Sequence, residues 1–129
     1  MRALWLVLLV PGAAVAQEVD CAVAETQIDM TFCAAEQFRE ADADLNLAYG
    51  EARALMRQID AGLESADRGA ELAMRDGQRA WITYRDQACE AEAYLWWGGS
   101  GQAMIYAACR ARVTQARADD LWEVVASGS

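Results

Sequence analysis

The chain has 129 residues, eleven basic and twenty acidic side chains, no histidine and four cysteines. That length suits one domain around one core. The net charge of −9 argues against nucleic-acid binding and favours either simple solubility or a cationic partner. The missing histidine removes the commonest metal ligand and the commonest general base.

Residues 1–16 read as an export leader. Met1-Arg2 is a basic start, Ala3 to Val10 is an apolar run, and Ala14-Val15-Ala16 offers a small-residue cleavage site before Gln17. The run is too short for a stable membrane span. Cleavage would leave a single domain, 17–129, of roughly 113 residues with a charge of about −10. Glu18-Val19-Asp20 precedes Cys21, where lipid attachment would need small apolar residues, so the expectation is a periplasmic or secreted protein without a membrane anchor.

Thr26 is the expected N-cap of a first helix, with Asp29 in the capping-box position. Ile28, Phe32, Ala35, Phe38, Asp42, Leu45, Tyr49, Ala52, Met56 and Ile59 recur at three and four residues, a helical stripe. It should end at Asp60-Ala61-Gly62, with Gly62 as a left-handed cap. Glu64 to Gly69 forms a polar link. A second helix is predicted from Ala70 to Trp97, broken by Gly98-Gly99-Ser100-Gly101, and a third from Gln102 to Val125. No segment alternates as a strand would, so the expected fold is an all-α, three-helix antiparallel bundle.

Four cysteines in an exported chain point to two disulfides, with three possible connectivities. A four-cysteine zinc site is the rival, but no C-x-x-C pair exists. Cys89 and Cys109 lie at similar distances from the glycine turn, which makes them level in an antiparallel hairpin. The segment before Thr26 is long enough to fold back from Cys21 to Cys33. The expected pairs are therefore Cys21–Cys33 and Cys89–Cys109.

The stretch Gln78-Arg79-Ala80-Trp81-Ile82-Thr83-Tyr84-Arg85-Asp86-Gln87-Ala88-Cys89 concentrates interaction-capable side chains. Gln78, Ile82, Arg85 and Cys89 fall on one helical side. A buried Arg85 requires an acidic partner. Helix register puts Asp42 nearly level with it. Asn46, Tyr49, Gln78 and Trp81 would complete a structural polar network.

Together these residues resemble the LprI-type lysozyme-inhibitor family. The resemblance is carried by Cys21, Thr26-Gln27, Met30, Cys33-Ala34, Asp42, Leu45-Asn46 and Tyr49. It continues through Gln78-Arg79-Ala80-Trp81, Tyr84-Arg85-Asp86, Cys89, Gly98-Gly99-Ser100, Cys109, Thr114, Arg117 and Leu121. It spans nearly all of the mature chain and implies a helical exported domain, with lysozyme inhibition ascribed to some members. Asp29 stands where the family usually has Glu, and the lipid-attachment cysteine of the lipoprotein members is missing.

The leading functional expectation is a non-catalytic protein that blocks a muramidase, a cationic lysozyme among the candidates. Trp96 and Trp97 sit beside the glycine tip, and adjacent helical residues point about 100° apart, so one ring can face outward. Trp96, Trp97, Gly98, Gly99 and Ser100 are thus the candidate partner contacts, unless both rings simply cap the bundle. The alternative is a periplasmic envelope or stress module that binds another exported protein. For an enzyme, Asp42 and Asp86 are the candidate carboxylates, and each has an arginine to pair with in Arg85 or Arg79. No cofactor or metal is expected.

Overall fold

The Thr26 side chain sets the first helix boundary. In the computed structural model, which describes residues 18–128, its Oγ1 accepts from the Asp29 amide at 3.1 Å. The expected leader, residues 1–16, lies outside the described residues. Helix α1 runs Gln27–Gly62, α2 runs Ala70–Ala93, a 3-10 turn covers Tyr94–Trp96, and α3 runs Gln102–Ser127. Among the described residues there is no strand, and no helix is long and apolar enough to cross a membrane.

Helix α1 ends at Gly62 as predicted, but its expected cap does not form, and two other predicted boundaries move. Leu63, in extended conformation, caps α1, and among the described residues only Gly98 has a positive φ. Gly62 is therefore not a left-handed cap. Helix α2 stops at Ala93, four residues before Trp97, because the chain tightens into the 3-10 turn on its way into the glycines. Helix α3 continues two residues past Val125.

Side-chain contacts fix the topology. Gln27 Nε2 lies 3.5 Å from Met104 Sδ, and Trp122 Nε1 donates to Asp44 Oδ1 at 3.0 Å. Helices α1 and α3 thus start at the same end and run parallel, while α2 runs against both. Both disulfides form as the register required, Cys21–Cys33 and Cys89–Cys109, so no cysteine is left for zinc.

The core is built from small residues. Leu45, Ala48, Ala52, Ala118 and Leu121 form its buried centre, with Tyr49, Met74, Trp81 and Val125 packed around it. Alanine on both sides of the α1–α3 seam lets the two backbones approach closely. Burial of each leucine contributes roughly 1.5–3 kcal/mol. The buried positions of α1 are Cys33, Ala34, Ala41, Leu45, Ala48 and Ala52. The working face is thus rotated from the predicted stripe, and Ile28, Phe32 and Ala35 are exposed. The larger apolar groups lost that position because α1 packs chiefly against α3, whose facing seam is itself alanine.

Asp60 fastens the α1–α2 link. Its carboxylate accepts from the amides of Gly69 and Ala70 at 2.9 Å and Glu71 at 3.0 Å. The last turn of α1 therefore satisfies amides at the α2 N-terminus that Gly69, without a side chain, leaves open. The amides of Glu71, Gly69 and Ala70 hold the Asp60 carboxyl below its ordinary value. Arg53 and Arg57 both pair with Glu71 beside it.

Candidate functional site

Two groups of chemistry-bearing residues stand apart along the bundle. The first is at its waist. Arg85 is buried, its side chain only 8% exposed, and its nearest carboxylate is that of its chain neighbour Asp86, at 2.8 Å. Asp42 is farther, at 3.8 Å, and remains 43% exposed. Asp86 also lies 3.5 Å from Arg110 Nε, an ion-pair distance at which no hydrogen bond forms. Of the two arginines named as partners for these carboxylates, Arg85 takes both Asp42 and Asp86.

Aromatic rings complete the waist. The Arg85 guanidinium carbon lies 5.3 Å from the Trp81 ring centroid and 5.4 Å from that of Phe38. Arg110 lies 3.8 Å from the Phe38 ring and 5.4 Å from that of Tyr106. Rings and guanidiniums thus alternate across all three helices, a stack favoured by the negative ring faces.

The six residues expected to form one polar network divide into three groups. Asp42, Asn46, Trp81 and Arg85 meet, with Asn46 Nδ2 donating to Asp42 Oδ2 at 3.2 Å. Gln78 is buried but accepts instead from Arg117 Nε at 3.1 Å. Tyr49 lies under Arg53, 5.7 Å from its guanidinium carbon. Ile82, expected beside Gln78 and Arg85, is exposed. Phe38, Tyr106 and Arg110 were not anticipated as one cluster. Their signal was the level position of Arg110, next to the Cys109 bridge, opposite Arg85.

The second group is the loop end. Gly98, at φ 73°, turns the chain, and its amide donates to Gln102 Oε1 at 3.2 Å. The Gly99 amide donates to the Trp96 carbonyl at 2.9 Å. Trp96 lies over Gly101, where an added Cβ would sit 3.4 Å from its ring. Trp97 turns away and stacks on Tyr94, with ring centroids 4.8 Å apart and planes 4° from parallel. All four residues from Tyr94 to Trp97 are more than half exposed, Leu95 reaching 82% and Trp97 68%. An open groove of about 370 Å³ beside them is lined by Glu90, Ser100, Gln102 and Tyr106, among others.

Asp42 and Asp86 both face Arg85, and among the described residues no group of three or more His, Cys, Asp or Glu could hold a metal ion. What the fold and surface define is a small, disulfide-stapled helical domain with exposed Tyr94, Trp96 and Trp97 gathered at its glycine-loop end.

The chain belongs to the LprI lysozyme inhibitor family, whose model matches residues 20–121. It is 38% identical over 120 residues to the uncharacterized protein R02472 of Rhizobium meliloti (strain 1021), covering 91% of this chain and 86% of that one. It is also 36% identical over 59 residues to the uncharacterized protein YecT of Escherichia coli (strain K12), covering 45% of this chain and 36% of that protein. No solved structure matches it.

Proposed function

We propose that the mature protein is an exported, non-catalytic inhibitor that binds a lysozyme-type muramidase. The family match over residues 20–121 is the observation that carries this reading. Two disulfides are compatible with a periplasmic or secreted location, because such bridges persist outside the reducing cytoplasm. The leader read at residues 1–16 supports the same location. The exposed loop end supports a contact through Trp96, Trp97, Gly98, Gly99 and Ser100, since aromatic side chains are the usual anchors of protein interfaces.

The test is digestion of isolated cell walls by lysozyme at low salt, with and without micromolar mature protein. Slower digestion is expected, with most of the effect lost in Trp97→Ala. Unchanged digestion by lysozymes of several classes would reject the reading. Inhibition that survives Trp96→Ala and Trp97→Ala would reject only the assigned contact.

A further inference from the structure

The charge of this protein is not spread evenly along the bundle. Asp42 meets Arg85 and Asp44 meets Gln115, which marks the middle of the three helices. Residues 18–44 and 82–114 build the half that ends in the glycine loop, and they carry eleven carboxylates against four arginines. Residues 45–81 and 115–128 build the other half, with nine carboxylates against six arginines. The loop half therefore holds about −7 and the far half about −3 of the described charge.

The same half carries the exposed rings of Tyr94, Trp96 and Trp97. Gln27 Oε1 would lie 3.7 Å from a Cβ at Gly101, the residue under Trp96, so the start of α1 belongs to this end. Ile28, the next residue, is exposed, and so is Val23. Val23 lies in an open hollow of about 370 Å³ that is also lined by Glu18, Asp20 and Asp29. Apolar groups surrounded by carboxylates therefore continue from the loop across the start of α1.

We infer that this whole end, not the loop alone, is one docking face for a basic protein with a concave substrate cleft. The Tyr94–Trp97 stack and Leu95 enter the cleft, and Glu25, Asp29 and Glu90 meet the cationic rim. The inference rests on the proposed muramidase reading and specifies which surface serves it. Charge complementarity selects the occupant: a field concentrated at one end steers and orients a cationic partner before contact, an effect that weakens with salt. A protruding aromatic tip matches a concave site, where apolar and aromatic linings are the rule. The inhibitor and the glycan then compete for one cleft.

The experiment compares two double variants of equal net charge by binding kinetics with a basic lysozyme at two salt concentrations. Glu25→Lys with Glu90→Lys reverses charge at the loop end, and Glu64→Lys with Glu123→Lys does so at the far end. All four side chains are exposed. The loop-end pair should lower the association rate about tenfold and flatten its salt dependence. The far-end pair should change it less than about twofold. A soluble chito-oligosaccharide should compete with the wild-type protein. Equal loss from both pairs, or no competition by the oligosaccharide, would overturn the docking face while leaving inhibition intact. No binding of the wild-type protein to any basic muramidase would overturn both readings.

Discussion

The waist and the loop end use the same kinds of side chain for opposite purposes. At the waist, Phe38, Trp81 and Tyr106 lie against two guanidiniums, and the two carboxylates are engaged as well. At the loop end, Tyr94 and Trp97 stack on each other and leave their remaining faces to solvent. A ring whose faces meet a buried arginine is committed to the fold. A ring that meets only another exposed ring is available to a partner. The distinction lies in three-dimensional partnering, not in composition.

The comparison breaks most visibly at the bridge that separates the two regions. Replacing both Cys89 and Cys109 by Ala opens a loop with a sequence separation of 20 and should cost about 3 kcal/mol. Urea unfolding of the variant and the parent, both unreduced, measures it. Next comes Arg85→Ala, which removes a buried stem, two ring contacts and an ion pair. A loss of about 2 kcal/mol is expected, read as a lower urea midpoint at unchanged slope. Asp42→Ala should cost no more than about 0.5 kcal/mol, because the pair is long and its carboxylate is solvated.

Acid should then loosen the links between helices. The Asp60 carboxyl is held down by the amides of Glu71, Gly69 and Ala70, and that of Asp44 by Trp122 and Gln115. A folded value below the unfolded one means stability that is complete above the unfolded value, about 3.9 for Asp. It is lost as pH falls through the depressed folded value. Urea midpoints should therefore drop as pH falls below about 4, and Asp60→Asn should flatten that dependence.

The smallest stability effect belongs to the loop. Trp97→Ala removes a ring that is 68% exposed, so unfolding should shift by less than about 0.5 kcal/mol. Binding of lysozyme should fall by at least about tenfold, the behaviour of an interface anchor. Arg85→Ala, measured under conditions where it remains folded, should show the reverse pattern, with stability lowered and binding retained.

Much of the framework was legible in the sequence. Rise per residue was enough to level Cys89 with Cys109, and Thr26 announced the start of α1. The rotation of the α1 face was not legible, because Ile28 and Phe32 outrank Ala41 and Ala48 in any hydrophobic count. Ala41 and Ala48 win because close approach of α3 rewards small residues. The Arg85–Asp86 contact was missed for a related reason. Chain neighbours on a helix do not normally face each other, and only the length of the arginine stem lets it turn back. The loop residues were found from the glycines. The stacking of Trp97 on Tyr94 depended on the 3-10 turn, which periodicity does not encode.

Amide hydrogen exchange of residues 17–129, alone and saturated with a basic lysozyme, tests the division between the two regions most directly. Slower exchange confined to the loop end, from Tyr94 to Gln102 and at the start of α1, is the predicted result. Protection at the Leu63–Gly69 link or along the exposed side of α2, with the loop unchanged, would contradict it.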